Sequence, residues 1–229
     1  MSEFALTPPA IPSVAIAESA KRFAVRRIFC VGRNYAEHAR EMGDDPDREP
    51  PFFFCKPADA VVDDGVTLPF PMATENLHHE AELVVALASG GADILPEQAL
   101  SCVWGYGVGN DLTRRDLQAA GKEKRRPWDM GKGFDDSAAC GPLHPVTEIG
   151  HPGTGRITAE VDGVLKQDGD LAEMIWPVAD IIAHLSGLVT LAAGDLIYTG
   201  TPAGVGPIQR GQTCRITVQG LGAITTTYR

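Results

Sequence analysis

The chain has 229 residues, 44% hydrophobic and 22% charged, so it has enough apolar surface for a real core and lacks the bias of a disordered chain. Its net charge of −10 excludes the basic footprint of a nucleic-acid binder and leaves a small-molecule ligand open. The five cysteines (30, 55, 102, 140 and 214) are scattered and form no C-x-x-C pair, so neither a disulfide framework nor a zinc site is expected, and a reducing cytoplasm suits them.

Residues 1–20 read as an irregular arm with Pro8, Pro9 and Pro12, and Glu3 stands where a secretory signal would be apolar. No targeting segment and no membrane span is expected. Residues 21–229 read as one domain. "RRIFCVGRN" (26–34) is a strand ending at glycine, and Asn34 can cap a short helix, "YAEHAREMG", that stops at Gly43. The charged, proline-rich segment 43–51 is expected to be a lid, with Arg48 able to meet a distal carboxylate.

Strands are expected at "FFFCKPADAVV", "LVVALA" and "WGYGVGND", with a short helix near "LPEQALSCV" and a longer one over 112–126. Asp162–Gly163 between two extended runs is a hairpin signal. Residues 177–189 open on a proline and repeat apolar residues at helical spacing. The remainder is glycine-punctuated β structure. Many short strands with few helices predict a β-rich α+β fold, a sandwich or roll. The P-loop lysine motif and a G-x-G-x-x-G opening a helix are both missing, so nucleotide binding has no support.

"NLHHEAELVV" (76–85) places Glu80 and Glu82 at the mouth of an apolar strand. Residues two apart in a strand share a face, and two such carboxylates raise each other's pKa unless a cation sits between them. A hard divalent cation suits oxygen ligands. A solvated strand end accounts for the same spacing. Asp111 ends a strand, where it can join such a cluster or simply cap the next helix. His38 and Glu41, three apart on a helix, can form an imidazole–carboxylate base or an incidental surface pair. Lys132, between glycines, can reach an anionic oxygen or stay solvated. "TGTPAGVG" (199–206) can form a backbone nest for an anion or a plain turn. His78, His144, His151 and His184 read as structural.

Five segments in this order, "GRNYAEHAREM", "NLHHEAEL", "GNDLTRRDLQ", "PWDMGKGFD" and "TGTPAGVG", resemble the fumarylacetoacetate hydrolase family from about residue 27 to the end. The resemblance is greatest to its single-domain acylpyruvate hydrolases, and within them to the fumarylpyruvate hydrolases of bacterial aromatic breakdown. It implies the mixed β-sandwich roll of the family's C-terminal domain, a homodimer, and Mg²⁺ or Mn²⁺, with Ca²⁺ as a stand-in. It implies that Glu80, Glu82 and Asp111 are metal ligands and that His38 with Glu41 activates water. Lys132 and Gln118 would act on the substrate oxygens, with Arg33, Tyr35, Arg115, Gly200 and Thr201 around the substrate. The implied reaction is carbon–carbon hydrolysis of a 2,4-dioxo acid to pyruvate and a carboxylic acid. Oxaloacetate decarboxylation, isomerisation or dehydration of a 2-oxo acid, and non-catalytic oxo-acid binding are the alternatives. Gly131 departs from the family, whose members often carry alanine there, and is expected to loosen its loop.

Overall fold

The computed structural model of the protein describes residues 4–41 and 50–229. Its centre is the strand Ala81–Leu87, all seven residues of which are buried. It lies inside an eight-stranded sheet in the order 52–56, 27–32, 195–198, 81–87, 103–111, 138–140, 61–62, with 144–145 also pairing with 103–111. The sheet is mixed: 195–198 runs parallel to 27–32 and antiparallel to 81–87.

Period-two alternation feeds two cores from this one sheet. Leu83, Val85 and Leu87 join Phe29, Val31 and Ile197 in the larger core. Val84 and Ala86, with Ile28, Cys30, Leu196 and Tyr198, form the smaller core on the opposite face. A strand buried on both faces reads as a continuous apolar run, which is why "LVVAL" shows no alternation.

The larger core is closed by a five-stranded sheet, in the order 164–170, 156–161, 213–218, 222–228, 67–68, which supplies Ile157, Ile216, Val218 and Ile224. The helix Val178–Ser186 adds Val178, Ile181, Ile182 and Leu185 to the same core. The result is the expected β-rich α+β architecture. Asp162 and Gly163 both have positive φ, 49° and 76°, the backbone of a two-residue hairpin turn matched to strand twist.

A small sheet sets the geometry of the site. The strand Leu77–His79 pairs with Thr113–Arg114 and Gly206–Ile208. The strands 81–87 and 103–111 therefore continue their partnership beyond Glu80 and Leu112 into a second sheet. Glu80 and Asp111 stand at this corner.

Two expectations change. Within the supposed arm of residues 1–20, Ser13–Ala15 pairs antiparallel with Arg22–Ala24, because Val14 and Val25 are needed to cover the smaller core. Asn34 precedes the helix Ala36–Glu41, but its amide does another job: Nδ2 donates to the carbonyls of Trp176 and Thr199, and Oδ1 accepts from the Trp176 N–H. It ties the helix entry to two distant segments. The expected lid, with Arg48, falls mostly on residues 42–49, outside the described residues. No helix among the described residues is long and apolar enough to cross a membrane.

The ladder also shows where the central sheet has no room. Glu82 faces Gly109, and a Cβ there would lie 2.5 Å from Val84 Cγ2 and 2.6 Å from Tyr198 Cε1. Gly109→Ala is expected to cost about 1–3 kcal/mol by overpacking. A thermal melt of this variant that matches the parent would show that the sheet yields more easily than the geometry implies.

Candidate active site

Strand register brings three carboxylates together. Ala81 pairs with Asn110 and Glu82 with Gly109, so Glu80 stands opposite Asp111, whose N–H donates to the Glu80 carbonyl at 3.0 Å. Residues two apart and residues directly opposed share a face. Glu80, Glu82 and Asp111 are all buried, and one oxygen from each lies within 4.8 Å of the others.

Cations and backbone dipoles offset this charge unevenly. Lys132 Nζ donates to Glu80 Oε2 at 2.7 Å and to Asp111 Oδ2 at 2.8 Å. Arg115 Nη2 donates to Glu80 Oε1 at 2.6 Å. Burial opposes the Glu80 charge, but Lys132 and Arg115 outweigh it and hold the carboxyl below the ordinary range. Glu82 instead accepts the Gly200 N–H at 2.7 Å. Burial, then the charges of Asp111 and Glu80, push its pKa well above the ordinary range. Lys132 has its pKa raised: burial works against its charge, and Asp111 and Glu80 more than compensate.

Lys56 is a member of this cluster that sequence reasoning missed. Its Nζ is fully buried and lies 2.8 Å from Asp111 Oδ1. Its hydrogen bonds go to the carbonyls of Leu112 and Lys132, and Asp111 Oδ1 has none among the described residues. A clue was present: Lys56 ends an aromatic strand, where a buried lysine requires a partner.

His38 and Glu41 do form a pair, with Nδ1 3.2 Å from Oε2. The Gly204 N–H donates to the same Glu41 oxygen at 3.2 Å. His38 is buried and lines the cleft that also holds Glu80, Glu82, Arg115, Gln118, Lys132 and Thr201.

The segment 199–206 is a nest, but its anions belong to the chain itself. Gly200 holds Glu82 and Gly204 holds Glu41, so the N–H groups expected to bind a substrate carboxylate are spent on positioning. Gly200 has φ +97°, and a Cβ there would lie 2.7 Å from Asn34 Cβ, so this turn requires glycine. Thr201 does face the cleft, with Oγ1 accepting from Gln167 Nε2 at 2.7 Å. Gln167, another missed residue, also accepts from the Ala81 N–H and lies 2.9 Å from His79 Nδ1.

The remaining expectations divide. Arg33 lines the cleft and adopts φ +59°, a left-handed conformation uncommon outside glycine. Tyr35 is not among the residues that line the cleft; it is buried, and its hydroxyl has no hydrogen-bond partner among the described residues. Gln118 is buried at the cleft, and its Oε1 accepts from Arg115 at 2.6 Å. Lys132 is not in a loop but ends the short helix Asp129–Lys132. Gly131 tightens this helix against its neighbour, since a Cβ there would lie 2.9 Å from the Gln118 nitrogen. His78 is held neutral, its pKa lowered to about 4 by burial and by Arg115. His144 bonds the Leu221 carbonyl, and His151 bonds Tyr106, as structural histidines do.

The model of the fumarylacetoacetate (FAA) hydrolase C-terminal region matches residues 27–229. The chain belongs to the fumarylacetoacetate hydrolase family. Within the family, the crystal structure of fumarylpyruvate hydrolase from Pseudomonas aeruginosa in complex with Mn²⁺ and pyruvate is 50% identical, with a TM-score of 0.97 over 99% of each chain. A fumarylpyruvate hydrolase of Ralstonia is 40% identical over 78% of this chain and 93% of its own. The mitochondrial oxaloacetate decarboxylase of Dictyostelium discoideum is 39% identical over 86% of this chain and 90% of its own.

The donor set fits a hard divalent cation. It consists of carboxylate oxygens, it includes an oxygen with no hydrogen bond, and the repulsion that drives Glu82 toward its protonated form is what a cation relieves.

Two measurements follow from this electrostatics. Because Glu82 has a raised pKa without an ion, cation binding should release a proton, and affinity should climb as pH increases until Glu82 ionises unaided. Mn²⁺ titration calorimetry in buffers of different ionisation enthalpy reads this directly; zero proton release at every pH above the ordinary carboxylate range would refute it. Lys56→Met removes one partner of a buried pair and is expected to destabilise the metal-free chain by about 3–5 kcal/mol, measured by denaturant unfolding.

Proposed function

We propose that this chain is a divalent-metal-dependent hydrolase that cleaves a carbon–carbon bond in an acylpyruvate, a fumarylpyruvate-like 2,4-dioxo acid, to give pyruvate and a carboxylic acid. The observation that carries this reading is the His38–Glu41 pair on the same cleft as the carboxylate cluster. A water-activating base has no purpose at a site that only binds an oxo acid. The Mn²⁺ and pyruvate in the P. aeruginosa relative support the same assignment.

Glu80, Glu82 and Asp111 would hold Mg²⁺ or Mn²⁺. A bound divalent cation supplies Lewis-acid polarisation of the oxygens at the pyruvyl end of the substrate. The chain's own residues do the rest. Glu41, fixed by the Gly204 N–H, orients His38 through Nδ1, which leaves Nε2 as the nitrogen that accepts a proton from water. The water oxygen bonds to C4, the distal oxo carbon, and the C3–C4 bond breaks. The electron pair stays on C3, which takes up a proton to complete pyruvate, while the acyl fragment leaves as the acid. With its Oε1 engaged by Arg115, Gln118 has Nε2 to donate to the oxyanion formed at C4. The hydroxyl of Thr201, placed by Gln167, is available to the substrate carboxylate.

Oxaloacetate decarboxylation is the second reading, favoured by the Dictyostelium relative. It needs the cluster and no attacking water.

The two readings separate by mutation. His38→Ala and Glu41→Gln are expected to slow acylpyruvate hydrolysis by roughly 10²–10⁴-fold, the range for lost general-base catalysis. Oxaloacetate decarboxylation should fall less in both, whereas Glu82→Gln should impair both reactions. Loss of the acylpyruvate enol absorbance reports the first reaction, and coupled pyruvate detection reports the second. A wild type that turns over oxaloacetate far better than any acylpyruvate would install the second reading.

A further inference from the structure

The cleft does not end at the carboxylates. Arg33, Phe52, Phe54, Trp128 and Lys132 line both the inner cleft and a wider outer groove that continues to Arg126. One wall is aromatic. Phe52 and Trp128 meet edge to face at 5.2 Å, and Phe54 lies 6.1 Å from Trp128. The Phe52 ring can lie there because Gly32 has no side chain; a Cβ on Gly32 would be 2.0 Å from Phe52 Cζ.

The same wall is cationic. The Arg33 guanidinium lies over Phe52 at 5.2 Å, and Lys122 Nζ lies over Trp128 at 5.9 Å. Lys122 faces the inner cleft, which Glu80 and Glu82 also line, and Arg126 the outer groove, where Asp129 is the acid among the described lining residues. Residues 122–126 read Lys–Glu–Lys–Arg–Arg, four cations against the single acid Glu123, in a chain whose net charge is −10. Such a concentration of one sign against the molecule's overall field favours an anion at this mouth.

We propose that this groove receives the acyl arm of the substrate, and that Lys122 and Arg126 are specificity-determining residues that select an arm ending in a second carboxylate. The aromatic wall suits a planar, unsaturated arm, and the two cations meet its charged end. This assignment rests on the reading that places the 2-oxo acid end at Glu80, Glu82 and Asp111.

The test uses two ligands of equal length, 2-oxoadipate and 2-oxohexanoate, which differ in the terminal carboxylate. Calorimetric titration of the Mn²⁺-loaded chain should show about tenfold tighter binding of 2-oxoadipate, the order expected of two partly solvated ion pairs. High salt should shrink that preference in the wild type, and the double variant Lys122→Met/Arg126→Met should abolish it. Equal affinities in the wild type, or a preference that survives the double variant, would overturn the assignment. If neither ligand binds, the placement of the oxo-acid end fails and this proposal fails with it. If the preference holds but no acylpyruvate is cleaved, the groove stands and the hydrolase reading falls.

Discussion

The site depends on one electrostatic constraint: three carboxylates are held on one face of a two-strand ladder, buried, within a few ångströms of one another. Like charges in a medium of low dielectric repel strongly, and each burial adds a desolvation cost. The surrounding structure is arranged around that cost. Two buried lysines and an arginine converge on Glu80 and Asp111. Glu82 has the attraction of Lys132 and a backbone N–H from Gly200, and burial with the charges of Asp111 and Glu80 still leaves it destabilised as an anion. An uneven offset of this kind is how a site keeps affinity for a further cation: complete neutralisation by side chains would leave nothing for an ion to gain.

The glycine turn after Tyr198 links this cluster to the His38–Glu41 pair. Gly200 and Gly204, four residues apart, donate their N–H groups to Glu82 and Glu41 respectively. One short segment therefore fixes a carboxylate of the cluster and the carboxylate that orients His38. Gln167 anchors the same turn through Thr201 and Pro202 and, at its other end, fixes the strand entry at Ala81. The distance between the His38–Glu41 pair and the cluster is thus set by backbone contacts, which tolerate little drift. Asn34 extends this bracing by tying the start of the His38 helix to Thr199 and Trp176.

Much of the cluster was legible in the chain itself. Period-two spacing put Glu80 and Glu82 on one face, and an apolar run marked their strand as buried. A three-residue offset paired His38 with Glu41. Asp162–Gly163 announced its turn, because few residue pairs accept two positive φ values. These are local facts, decided by backbone geometry over a few residues.

Tertiary structure alone decided the rest. That Asp111 stands opposite Glu80 follows from strand register, which depends on which faces must be buried and is not written in either segment. Lys56 entered the site because its strand runs beside Arg27–Gly32, far from Asp111 in sequence. Tyr35 lies next to cleft residues in sequence yet is turned into the core, and the glycine turn that looked made for a substrate anion serves the chain's own carboxylates. Residue types and short spacings determine what chemistry is available. Long-range pairing determines which groups are desolvated together, and desolvation makes a carboxylate or a lysine reactive.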